Sequence, residues 1–94
     1  MKTRKPLTPS INVRLSEHAE DRWLERVGRP PGALRRLLVI KLRNHLSCGL
    51  TIHRGRAMIP LAADALDMPV DLIACLDLPD WRGVWKVVTF KEVN

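Results

Sequence analysis

An α+β fold is what the sequence predicts: two N-terminal helices packed on an antiparallel sheet of about four strands. Three observations predict it. Apolar residues recur at helical spacing in two successive segments of the first half, Ser16 to Gly28 and Gly32 to Ser47. After Gly49 the chain turns strand-like, ending in VWKVVTF, Val84 to Phe90, a run of β-branched and aromatic residues. Turn formers punctuate that second half at Gly55, Pro79, Asp80 and Gly83. The 94 residues suffice for one modest core, expected over 11–94 and preceded by a flexible basic arm at 1–10 with Lys2, Arg4, Lys5, Pro6 and Pro9. A hydrophobic fraction of 46% suits a folded chain rather than a disordered one. There is no run of about 18 apolar residues to cross a membrane and no apolar stretch of a secretory signal.

Taken in order, Ile11, Val13 and Leu15 alternate with Asn12 and Arg14, as in a short strand or an extended lead-in. Ser16 is a suitable N-cap for the first helix, Glu17, Glu20 and Asp21 place negative charge in its first turn, and Gly28 ends it. Ala19, Trp23, Leu24 and Val27 fall on one side of this helix and would pack on the sheet. Pro30 and Pro31 force an extended turn before the second helix, Gly32 to Ser47. Leu34, Leu38, Leu42 and Leu46, with Val39 beside them, make its apolar face. Arg36 and Arg43 point away from that face, Arg35 and Lys41 lie at its edges, and His45 falls close to the leucine line as a core-type histidine. Gly49 is placed to cap the helix.

Leu50 to Arg54 and Arg56 to Leu61 flank Gly55 as a hairpin, with Pro60 marking an edge position. Leu61 to Pro69 reads as a loop or a single helical turn. Val70 to Leu78 reads as a mostly buried strand. Trp81 and Arg82 stand at the tip of the next turn, where the indole suits stacking on a base or closing the edge of the core.

Charge narrows the choice of partner. Sixteen Lys and Arg against ten Asp and Glu leave +6, distributed unevenly. From Arg26 to Ala63 there are eight basic residues (Arg26, Arg29, Arg35, Arg36, Lys41, Arg43, Arg54 and Arg56) and no acid. Such a block favours a polyanion, RNA or DNA, or an acidic protein partner, with an amphipathic membrane-surface helix the weaker reading. Arg35, Arg36, Arg43, Arg54, Arg56 and Lys86 are the expected nucleic-acid contacts. Cys48 and Cys75 are far apart in an otherwise ordinary composition, which suits free thiols in a reducing cytoplasm. His45, Cys48 and His53 lie close enough in sequence for a metal site, but three ligands without a fourth argue against zinc, and no metal or cofactor is expected.

The first helix carries the most specific constellation. His18, Arg22 and Arg26 are four residues apart and climb one flank. An imidazole and two guanidiniums there can hold a phosphodiester and move a proton at it. The same arginines beside Glu25 equally form a solvated charged face.

The helix with His18, Ala19, Arg22 and Arg26, followed by a second helix and strands ending in Val87, Val88, Thr89 and Phe90, resembles a group of small prokaryotic proteins. These are relatives of the BrnT and RelE ribonuclease toxins, of the barnase, EndoU, colicin and RelE fold, often tied to mobile elements. The resemblance implies metal-independent RNA cleavage: a base takes the ribose 2′-hydroxyl proton, the oxygen attacks phosphorus, an acid protonates the leaving 5′-oxygen, and cations offset the phosphorane charge. His18 would be the acid or base, Arg22 and Arg26 the phosphate clamp, and Thr89 the contribution of the last strand, with His53 a second proton-transfer candidate. On a regular strand Lys86 and Thr89 face opposite ways, so only one joins the site unless a bulge intervenes. It also implies an acidic antitoxin or similar protein partner. Two departures stand out: Val27-Gly28-Arg29-Pro30 replaces the usual Arg-Gly-Ile after the helix, and the chain has no tyrosine, with Phe90 at the aromatic position. A non-catalytic RNA- or ribonucleoprotein-binding regulator and a protein–protein interaction module therefore stand beside the nuclease reading.

Overall fold

The computed structural model describes residues 11–93; the basic arm expected at 1–10, and position 94, lie outside the described residues. Along the chain come β1 (Asn12–Leu15), α1 (Glu17–Val27), α2 (Leu34–Cys48), β2 (Ile52–His53), β3 (Arg56–Leu61), a single 3₁₀ turn (Ala63–Ala65), β4 (Leu72–Asp77) and β5 (Val84–Glu92). The α+β class and the two helices are as expected. The sheet differs: it has five strands in the order β1-β5-β4-β3-β2, and it is mixed. Residues 12–15 are a true edge strand and not a lead-in, and they pair parallel to β5 from Asn12↔Val84 to Leu15↔Val87. Two strands separated by both helices and three further strands are free of the antiparallel geometry that a tight hairpin imposes.

The remaining pairs are antiparallel neighbours in sequence. Between β2 and β3, Arg54 (φ 53°) and Gly55 (φ 78°) both adopt the left-handed conformation that a twisted two-residue hairpin requires. Pro60 pairs with Ile73 of β4. Its missing N–H falls on the β2 side, beyond the last β2 contact at Met58, whose N–H donates to Thr51.

Both helices cover one face of the sheet. Val13 of β1, Ala57, Ile59 and Leu61 of β3, Leu72, Ala74 and Leu76 of β4, and Trp85, Val87 and Phe90 of β5 are buried against Ala19 and Trp23 of α1 and Leu34, Leu38 and Leu42 of α2. Trp23 and Phe90 meet with ring centroids 5.4 Å apart at 58°, a tilted contact that suits the quadrupoles of two aromatic rings. Two expected core leucines are outside it. Leu24 is 47% exposed and Leu46 51% exposed. Helix α1 turns only a narrow stripe inward, and the buried stripe of α2 ends at Leu42, well over a turn before the helix ends at Cys48.

Ser16 ties α1 to β5. Its hydroxyl oxygen accepts from the Ala19 N–H at 3.0 Å, and the hydroxyl donates to the Val88 carbonyl at 3.3 Å. The Ser16 N–H donates to Val87. Opposite this junction β5 carries a bulge: Cys75 pairs with Thr89 but Leu76 pairs with Val87, leaving Val88 as the extra residue. The bulge puts Lys86 and Thr89 on the same face, although three residues separate them, and that face is the one the helices leave open.

Candidate nucleic-acid interface

Register alone assembles the open face. Arg14 pairs with Lys86, Lys86 with Asp77, Asp77 with Arg56, and Arg56 with His53. These five residues, one from each strand, form a single row across the sheet, spanning roughly 19 Å at about 4.8 Å per strand. The next row holds Thr89, Cys75 and Met58, and the one after it Lys91, Ile73 and Pro60. Arg14, Lys86, Arg56 and Lys91 therefore share a face with one acid, Asp77. Arg56 Nε donates to Asp77 Oδ1 at 3.1 Å. Among the described residues no ion pair engages Arg14, Arg54, Lys86 or Lys91.

At the β2–β3 end of this face a depression of about 90 Å³ is lined by His53, Arg54, Arg56, Cys75, Thr89 and Lys91 around Met58. It gathers an imidazole, three cations and a hydroxyl. Cys75 is buried among them, and that burial pushes its thiol pKa up, against the opposing pull of Lys91 and Arg56. The thiol is held neutral and is no nucleophile at ordinary pH.

At the other end, a larger groove of about 420 Å³ is lined by Arg14, Asp77, Asp80, Arg82 and Lys86, among others. The β4–β5 turn above it is rigidly built. Asp80 Oδ1 accepts from the Val84 N–H at 3.1 Å and the Arg82 N–H at 2.8 Å. The bond from Val84 is the leading cause that holds the Asp80 carboxyl below its ordinary pKa. Trp81 projects from this turn 91% exposed, with the Arg82 guanidinium 5.7 Å from its ring centroid. It closes no core edge, and its free ring face is available for stacking.

The expected ladder on α1 has a different setting. His18 is exposed. Arg22 donates to Glu25 at 3.0 Å, and Arg26 is engaged by Glu92 at the end of β5, its Nε buried without a partner. Both arginines are thus answered by carboxylates, as in a solvated charged face. Thr89 lies in the depression with His53, which His18 does not line. The expected nucleic-acid contacts split in two: Arg54, Arg56 and Lys86 belong to the open sheet face, whereas Arg35, Arg36 and Arg43 line a groove between α2 and β1. Sequence reading missed Arg14 and Lys91. Arg14 was legible as outward-facing from its alternation with Val13 and Leu15, but only the parallel pairing with β5 brings it beside Lys86.

Among the described residues no group of three or more His, Cys, Asp or Glu is placed to hold a metal ion, and His45, Cys48 and His53 form none. No described helix is long and apolar enough to cross a membrane. Compared with protein-family models, with curated proteins and with solved structures, the chain has no match.

Proposed function

We propose that this chain is an RNA-directed protein of the BrnT/RelE-like toxin type that holds the RNA backbone on its open sheet face. One observation carries the reading: the cross-strand row from Arg14 to His53 lines up cations from three strands, Arg14, Lys86 and Arg56, and an imidazole with a single acid, Asp77. Phosphates bind such a face through charge, and base stacking on Trp81 adds a contact that any sequence can make. The run of a His-Ala-x-x-Arg-x-x-x-Arg helix, a second helix and a final Val-Val-Thr-Phe strand supports the toxin-like assignment.

Catalysis, on this reading, belongs to the depression around Thr89. His53 takes the proton from a ribose 2′-hydroxyl, and that oxygen attacks the adjacent phosphorus. The protonated imidazole, or a water, supplies a proton to the leaving 5′-oxygen, which leaves a 2′,3′-cyclic phosphate. Arg54 and Lys91 offset charge on the phosphorane, and the Thr89 hydroxyl donates to a non-bridging oxygen. No metal takes part in any step. His18, on α1, is the rival for proton transfer.

A second reading, binding without cleavage, has its own support: Arg22 and Arg26 are both held by carboxylates, and the chain contains no tyrosine. Labelled single-stranded RNA incubated with pure protein, with and without chelator, separates the two. Chelator-insensitive cleavage that is lost in His53→Ala and kept in His18→Ala is the expected result. Loss in His18→Ala alone moves the chemistry to α1. Salt-sensitive binding with no cleavage supports the second reading, and RNA neither bound nor cut overturns both.

A further inference from the structure

β1 is the outer strand of the sheet, paired on one side only, with β5. The Ser16 N–H, just past its end, donates to Val87 of β5. Main-chain groups alternate in direction along an extended chain. Those of Asn12 and Arg14 therefore face β5 too, while those of Ile11, Val13 and Leu15 point off the sheet. Beside this edge lies the largest groove in the described structure, about 820 Å³, between α2 and β1. Ile11, Val13, Val39 and Ile40 give it an aliphatic floor, and Ile40 is 50% exposed although it sits in the middle of α2. Helix α2 runs antiparallel to β1: near its start Arg35 shares a cleft with Leu15 and Glu20, whereas Arg43, two turns on, lines the groove with Ile11. The edge thus carries an acid at its Leu15 end and a cation at its Ile11 end. Among the described residues no ion pair engages Glu20 or Arg43.

We propose that two copies of this chain pair through this edge, β1 against β1, antiparallel about a two-fold axis at Val13, so that their sheets become one. An open strand edge is a template for exactly such an addition, and a two-fold axis requires the surface to complement itself. The outward groups fix the register. With Val13 opposite the partner's Val13, Ile11 falls opposite the partner's Leu15, and each facing pair exchanges two main-chain bonds, about six in all. Centring the axis on Arg14 would lose one such pair and set Arg14 against the partner's Arg14, a like-charge contact. In the Val13 register, Arg14 meets the partner's Asn12 on the open face, and the helix-facing pairs are apolar throughout. The same axis brings the Ile11 end of one edge beside the Leu15 end of the other, which carries each Arg43 toward the partner's Glu20. Val39 and Ile40 of both copies then close an apolar seam over the paired edges. The net charge of +6 on each chain opposes association weakly, because salt screens charges more than about 8 Å apart, whereas Arg43 and Glu20 meet at contact range.

The test uses the full chain without RNA, so its outcome is separate from that of RNA binding. Sedimentation velocity should show monomer giving way to dimer as concentration rises. Glu20→Arg and Arg43→Glu should each weaken the dimer at least about tenfold, since symmetry sets like charges together at both ends of the paired edge. An equimolar mixture of the two variants should dimerise again, because opposite charges then meet at each end. Both positions are exposed, so the variants are expected to fold, and circular dichroism checks that they do. Amide exchange read residue by residue should slow at Val13 and Leu15 on dimerisation, while Asn12 and Arg14, whose main-chain groups already face β5, change little. A chain that stays monomeric up to about 0.5 mM, a dimer indifferent to both charge reversals, or variants that fail to rescue each other overturns the proposal. Slowed exchange at Val13 and Leu15 only when RNA or an acidic peptide is added gives the edge to that occupant and overturns it too.

Discussion

Removing one open-face cation, and separately freeing another, should move the salt dependence of RNA binding in opposite directions. Arg14, Arg54, Lys86 and Lys91 are without ion-pair partners among the described residues, whereas Arg56 is held by Asp77 at 3.1 Å. Four available cations give a slope of log K against log salt of about −2.8, at roughly −0.7 per neutralised phosphate of a single strand. Affinity should then fall ~50-fold between about 50 and 200 mM salt. Lys86→Ala removes one contact, so the slope should become about −2.1 and the loss ~20-fold. Asp77→Asn releases Arg56, so the slope should steepen to about −3.5 and the loss reach ~130-fold. Any contribution from residues 1–10 is common to all three proteins and cancels in the differences. Fluorescence anisotropy with a labelled oligonucleotide, titrated at several salt concentrations, measures the slopes. Equal slopes for the parent, Lys86→Ala and Asp77→Asn would refute the placement of RNA on this face.

Further outcomes test the packing. Trp23→Ala should cost about 3–5 kcal/mol in urea unfolding followed by circular dichroism, because the indole is buried against Phe90, whereas Leu24→Ala next to it should change stability by less than about 0.5 kcal/mol. Trp23→Phe should fall between them, since it opens a smaller cavity and removes an indole N–H that has no hydrogen-bond partner. Cys48 should react with a thiol reagent in the native protein and Cys75 only on opening. The Cys75 pKa is raised on folding, so its contribution is intact below the ordinary thiol range and lost as pH climbs through the raised value. Cys75→Ala should flatten that alkaline loss of stability, and equal alkaline limbs would contradict it.

How much of this was legible beforehand depends on whether the governing interaction is local. Ser16 as cap, Gly28 (φ 84°) as terminator and the turn at Gly55 act within a few residues, and each was readable from the residue types alone, whereas Arg54, expected in the strand, joins Gly55 in the turn at φ 53°. Strand β3 was readable to the residue, since turn and alternation bracket Arg56–Leu61. Leu24 and Leu46 were not: a helical wheel gives the apolar side but not the width of the stripe that the sheet covers. The parallel pairing of β1 was likewise out of reach, because Asn12 and Val84 meet across nearly the whole chain with no connecting turn to fix direction.

The basic open face was hidden for a related reason. His18, Arg22 and Arg26 share a helix, so their proximity could be counted along the sequence, but whether carboxylates would claim the arginines depended partly on Glu92, at the far end of the chain. The open-face row contains no two residues adjacent in sequence, and it exists only once all four strand registers are set. The bulge at Val88 is the decisive step. Without it, Thr89 and Lys91 would turn toward the helices while Phe90 turned outward, exposing the ring that packs on Trp23 and burying a lysine. Core packing and the basic face are therefore set by the same extra residue, and the chain cannot satisfy one without composing the other.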